Sequence, residues 1–193
     1  IHMVLKKYCS KLENIFIIFE EEIRQSKLID YLDWDKISRQ QYLSEEFIEE
    51  FSDKVSWLSI SYSQKLSEKF ISKHKDYVCW QHISEKQILS EDFIRKFANQ
   101  VSWLDICLFQ KLSENFIEEF KHKIFWHAIS KHQNVSDKFL EKFKYKICWE
   151  EIWKRKKRDA KFVEKFKDKI FIGIVPLCYF PNIDHERSWR QFL

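Results

Sequence analysis

Seven histidines, five cysteines and 30 acidic side chains are the groups through which this chain could hold a metal or run a reaction, and their spacing argues against both. His122, His127 and His132 lie five residues apart, not at the i, i+4 spacing that places two imidazoles on one helix face, so no metal site is expected. The carboxylates Glu45, Glu46, Glu49 and Glu50 form a polar row without a matched base, nucleophile or phosphate-cradling loop. No catalytic residue or cofactor is therefore assigned, and a non-enzyme is expected. The adjacent pair Asp184 and His185 is where an active site would otherwise be sought. An odd cysteine count in a chain of 193 residues fits free thiols in a reducing compartment. Cys79 and Cys148 each precede a tryptophan and are expected as buried thiols at cap positions.

The remaining chemistry is ionic. Between Lys121 and Lys169, 16 Lys and Arg face 7 Asp and Glu, a local net of +9 that leaves −5 for the rest of a chain of net +4. The densest stretch, Lys154, Arg155, Lys156, Lys157 and Arg158, reads as a polyanion-binding patch, a nuclear-import peptide or a solvated loop.

The elements that must position these groups are helices. One Gly and two Pro in the whole chain leave little material for hairpins, and a third of the residues are charged, as surface-rich helices require. Six of the eight tryptophans, Trp34, Trp57, Trp80, Trp103, Trp126 and Trp149, follow one another at intervals of 23 residues. Gln41, Gln64, Gln87, Gln110 and Gln133 keep step seven residues past a tryptophan, and Ser44, Ser67, Ser90, Ser113 and Ser136 ten past it. Three series in one register are the mark of a stacked repeat array. The fold class is all-α: an α-solenoid of short helix-turn-helix repeats of 23-residue period. It is expected to carry an N-terminal capping helix over residues 4–25, the array over 26–170, and an irregular C-terminal cap over 171–193.

Each repeat reads as two helices, A and B. Ser44 caps helix A, Glu45 opens its first turn where the helix dipole favours an anion, and Leu43 staples onto Ile48. Phe47, Ile48 and Phe51 share the inner face, while Glu46, Glu49, Glu50 and Asp53 face solvent. Ser56 offers the cap of helix B, whose inner side carries Trp57 and Ile60. Gln64 is expected to tie the loop that follows. The tryptophans should form one internal column, and helices this short must bury one another's faces to persist. Residues Glu20, Glu21 and Glu22 give the N-terminal cap a polar outer side, and a last unit keeps Phe162, Val163, Phe166 and Ile170 with Ile172 in place of tryptophan.

The phrase Leu-Ser-Glu-x-Phe-Ile followed by Val-x-Trp-x-x-Ile-Ser-x-x-Gln, as in residues 43–64, resembles a repeat of paralogous proteins in large DNA viruses that infect amoebae. The resemblance covers about residues 30–170. It implies a viral origin, an interaction role rather than a reaction, and a place in the host cytoplasm or nucleus or in the virion.

No run reaches the roughly 18 to 20 apolar residues that span a bilayer, and residues 1–20 alternate charged and apolar groups, unlike a secretory signal. Ile1 and His2 read as a cloning remnant before Met3. The outward positions of helix B vary in character, with Leu58, Tyr62, Leu104, Leu108, Phe109 and Trp153 apolar. Variable apolar residues on a repeat scaffold are where a protein partner is read, or where the adjoining loop packs. The expected function is protein–protein interaction or scaffolding with a viral or host protein. The alternative is nucleic-acid or polyanion binding by the basic C-terminal half.

Overall fold

A computed structural model describes residues 19–27, 29–39, 42–155, 161, 162, 164–166 and 169. Among them there are helices and turns and no strand, and the protein is an α-solenoid of 23-residue helical repeats. The chain divides into two compact units, residues 1–89 and 90–193.

In the first unit the B helices Trp34–Arg39, Trp57–Ser63 and Trp80–Lys86 pack in sequence order, each against the next. The A helices Glu45–Glu50 and Glu68–Lys73 alternate with them. In the second unit the B helices Trp103–Phe109, Trp126–His132 and Trp149–Arg155 pack likewise. Its A helices are Glu91–Lys96, Glu114–Glu119 and Asp137–Lys142. Residues 19–24 are helical. The remainder of the expected N-terminal cap, the C-terminal cap, Asp184, His185 and Ile172 lie outside the described residues.

Helix A forms as its sequence dictates. Ser44, Ser67, Ser90, Ser113 and Ser136 each accept the N–H of the phenylalanine three residues on, at 3.1–3.2 Å, which satisfies one of the orphan donors of the first turn. The apolar pair at Phe47 and Ile48, and its equivalents Phe116 and Ile117, are fully buried. Helix B is capped at Ser56 as expected, though by a longer bond than helix A, the Ser59 N–H donating to Ser56 Oγ at 3.4 Å. In two other repeats Cys79 and Phe125 occupy the same cap position without a side-chain bond. The free cap N–H is taken by the preceding repeat: Ser56 N–H donates to Ser38 Oγ at 2.9 Å, Cys79 N–H to Ser61 Oγ at 2.9 Å, and Cys148 N–H to Ser130 Oγ at 2.9 Å. These serines are fully buried, as are Ser84 and Cys107 at the same register position. Their small size lets adjacent B helices approach, and their hydroxyls pass one hydrogen bond from repeat to repeat.

The tryptophans stack on the following repeat but do not form a sealed internal column. Trp34, Trp57, Trp103 and Trp126 are half-buried, while Ile60, Ile83, Ile106 and Ile129 of the same helices are fully enclosed. The indole N–H donates to the carbonyl five residues back, Trp57 to Ser52 at 3.0 Å and Trp103 to Ala98 at 2.9 Å, and the buried Trp149 makes the same bond to Lys144 at 2.8 Å. Those carbonyls belong to the turn between helices A and B. The face of the ring packs on the next A helix, with Trp34 5.0 Å from Phe51, Trp103 4.8 Å from Phe120 and Trp126 4.9 Å from Phe143.

The glutamines tie loops backward, not forward as expected. Gln64 Oε1 accepts the Leu43 N–H at 3.0 Å and its Nε2 donates to the Ser38 carbonyl at 3.1 Å. Gln133 repeats this on Leu112, Cys107 and Gln110 at 3.1, 3.1 and 2.7 Å. Buried loop amides need such partners, and the side chain of one repeat supplies them to the one before.

The first-turn glutamates are likewise structural. Glu45 grips the Ser67 N–H at 2.5 Å and hydroxyl at 3.0 Å, and Glu91 does the same to Ser113 at 2.6 and 3.0 Å. Glu114 holds Ser136 in the same way. Glu20, expected on the polar outer side of the N-terminal cap, is buried and holds Ser44 at 2.6 and 2.9 Å. The 19–24 helix thus supplies Ser44 with the clamp that Ser67, Ser113 and Ser136 receive from the preceding repeat.

Candidate functional site: the outward face of the B helices

The sequence-predicted partner residues fall on three helices, one in the first unit and two in the second. In Trp57–Ser63, Leu58 and Tyr62 are one turn apart on the outward side; in Trp103–Phe109, Leu104 and Leu108 take the same positions with Phe109 beside them. Leu58, Tyr62, Leu104 and Phe109 expose between 45% and 59% of their surface, and Leu108 is half-buried. Tyr62 is partly engaged by the next B helix, edge-on to His82 at 5.1 Å and under Lys86 Nζ at 4.6 Å. Trp153 does not join this row. It occupies the register of the buried Ser38, Ser61, Ser84, Cys107 and Ser130 and is half-buried.

Elsewhere the same outward pair is polar, and in two repeats it is an ion pair. Asp35 and Arg39 are bridged at 2.5 Å and Glu150 and Lys154 at 2.7 Å, while Gln81 with Glu85 and His127 with Lys131 fill it in two further repeats. The scaffold accepts charge at this position, so packing does not require leucine or tyrosine there.

The basic run is less available than its sequence implies. Lys154 Nζ bonds Glu150 at 2.7 Å and Glu151 at 3.4 Å, and these bonds, Glu150 foremost, raise its pKa while Lys154 lowers that of Glu150. Arg155 Nη1 donates to the carbonyls of Ser130 at 2.8 Å and Gln133 at 3.1 Å. Both side chains sought as phosphate contacts are thus engaged within the fold. Lys156, Lys157 and Arg158 lie outside the described residues.

His122 and His132 are exposed, and His127 faces Glu151 at 3.9 Å. Among the described residues no group of three or more His, Cys, Asp and Glu is arranged to hold a metal, and no helix is long and apolar enough to cross a membrane. Cys79, Cys107 and Cys148 are free thiols. Cys148 is buried as expected, but Cys79 is half-buried at its cap position. Burial pushes the Cys107 thiol up to about 11, so it is inert at neutral pH. His74 takes the place of the aromatic at Phe51, Phe97 and Phe120, is buried between Phe70 and Trp57 at 4.4 and 4.9 Å, and leaves its Nε2 without a partner. Its substitution for phenylalanine in a repeat is visible in the sequence. No protein-family model, curated protein or solved structure matches the chain.

Proposed function

We propose that the protein is a non-catalytic interaction module that reads a protein partner with the outward face of its B helices. One observation carries this reading. At the same register position, two repeats hold apolar pairs, the exposed Leu58 with Tyr62 and the exposed Leu104 with the half-buried Leu108, where others hold ion pairs such as Asp35 with Arg39. Exposed apolar side chains that packing does not demand lower solubility in isolation and gain free energy when a partner covers them, with aromatic anchors contributing most. The viral origin and intracellular setting implied by the repeat's resemblance belong to the same proposal.

Affinity capture with the wild-type protein and with a Leu104→Asp, Phe109→Asp double variant tests it. The variant should retain its helical circular dichroism and lose the captured protein. Equal recovery by a folded double variant rejects this face as the site.

A further inference from the structure

The turns joining helix A to helix B share one backbone. In each, the third residue's N–H returns to the carbonyl of the last aromatic of helix A: Gln100 to Phe97 at 2.9 Å, Lys123 to Phe120 at 2.8 Å, Lys146 to Phe143 at 2.8 Å. Their side chains differ. Residues 98–100 are Ala98, Asn99 and Gln100, whereas the next two turns are Lys121, His122, Lys123 and then Lys144, Tyr145, Lys146, with Lys169 in the register of Lys123 and Lys146. The neutral turn shows that the fold does not need lysine here. In the first unit the corresponding turns are charge-balanced: Lys54 pairs with Asp30 at 2.7 Å and sits 3.7 Å from Asp53, and Lys75 is followed by Asp76.

In the turns Lys121 to Lys123 and Lys144 to Lys146 of the second unit no acidic residue is interposed. Among the described residues, the one carboxylate paired with any of Lys121, Lys123, Lys144, Lys146 and Lys169 is Glu141, 3.3 Å from Lys144. Lys123 and Lys146 lie over Trp103 and Trp126, at 5.7 and 5.5 Å from the rings, and Lys123 Nζ also donates to the Ala98 carbonyl at 3.1 Å and the Asn99 side-chain oxygen at 2.9 Å, neutral partners that leave its charge uncompensated. Tyr145 is 63% exposed, with Lys144 and Lys169 5.4 and 4.8 Å from its ring.

We infer that this turn edge binds a single-stranded nucleic acid, the lysines contacting successive phosphates and Tyr145 stacking a base. Cations in register, about one helix-packing distance apart, follow one flexible backbone. An exposed ring flanked by cations offers the stacking surface that a carboxylate-rich protein would not use. A base on Tyr145 displaces a cation–π contact weaker than the stack it makes, and frees that lysine for a phosphate. A duplex keeps its bases stacked on one another and offers Tyr145 no free base, whereas a single strand does. The edge shares no residue with the B-helix face, so either site can fail without the other.

Fluorescence anisotropy with a labelled oligothymidylate, starting at about 50 mM salt, tests the inference. The wild type should bind with a log–log salt slope of about −0.7 for each phosphate contact. A Lys121→Gln, Lys123→Gln, Lys144→Gln, Lys146→Gln variant should weaken binding at least about tenfold and flatten that slope. A control that loses the same charge elsewhere, Lys96→Gln, Lys111→Gln, Lys131→Gln, Lys138→Gln, should change it far less. Tyr145→Ala, at an exposed position that leaves folding intact, should cost about fivefold or more on the oligonucleotide. Tyr145→Phe should cost little, and neither Tyr145 variant should alter retention on heparin, which offers anions but no bases. The inference is overturned by absence of wild-type binding, by equal losses in the two lysine variants, or by a Tyr145→Ala protein that binds the oligonucleotide like wild type.

Discussion

Gln133 and Arg155 perform the same task one repeat apart. Gln133 Nε2 donates to the carbonyls of Cys107 and Gln110, and Arg155 Nη1 donates to those of Ser130 and Gln133, the equivalent atoms of the next repeat. Arginine reaches from one residue earlier in the register because its side chain is longer, and the basic run thereby continues the glutamine ladder. Arg155→Ala should therefore lower stability by about 1 kcal/mol, the net worth of such bonds at a partly exposed site. Lys154→Ala, which breaks solvent-exposed ion pairs, should leave stability nearly unchanged. Urea unfolding followed by tryptophan fluorescence separates the two; equal effects would show that Arg155 is only a surface charge.

Gln133→Leu keeps the volume but strips three buried backbone groups of their partner, and a loss of at least about 2 kcal/mol is expected. Asn134→Leu, at the exposed neighbouring position, should cost under about 0.5 kcal/mol. A Gln133→Leu protein as stable as wild type would mean that water or a local shift satisfies those groups.

The clamp between Glu45 and Ser67 predicts coupling across 22 residues. Ser67→Ala removes a helix cap worth about 1 kcal/mol. In a double-mutant cycle with Glu45→Ala, the interaction energy should be about 0.5 kcal/mol or more. Additive losses would leave Glu45 as an ordinary first-turn anion.

Burial pushes the His74 imidazole below its ordinary value, with Glu49 and Glu45 opposing the shift and Lys73 adding to it. The folded value then lies below the unfolded one of about 6.5, and the unfolded chain binds more protons between the two. His74's contribution is intact above about pH 6.5 and is lost as pH falls from there towards the folded value. His74→Phe, the residue type of the equivalent positions, should raise stability and flatten the decline between about pH 7 and pH 5. A shallower decline should persist, because burial and the Lys131 charge also lower His132. Urea midpoints at pH 7.5 and 5.5 for both proteins check this; parallel declines would exclude His74 as a source.

What was legible in the sequence was what acts within one repeat. The bond from Ser44 to Phe47 spans three residues, and the burial of Phe47, Ile48 and Ile60 follows from helical spacing. The links between repeats were not legible, because Glu45 and Gln64 look alike whether they point forward, backward or into solvent. Direction depends on how one helix pair is offset against the next, which no local spacing encodes. The same holds for charge. The run Lys154 to Arg158 is the densest in sequence, yet Lys123 and Lys146, 23 residues apart, are brought into one file by the repeat itself. For the candidate site, the outward positions of Leu58, Tyr62, Leu104 and Phe109 were readable from periodicity, whereas the half-burial of Trp153 was not.

Oxidative side-chain footprinting of the free protein and of its complex with the captured partner shows whether the B-helix face is where that partner is read. Tyr62, Leu104 and Phe109 should be shielded in the complex, while Tyr77 and Tyr145, exposed on the turns, should oxidise as in the free protein. Unchanged oxidation of Leu104 and Phe109, with shielding confined to the turns, would contradict the account.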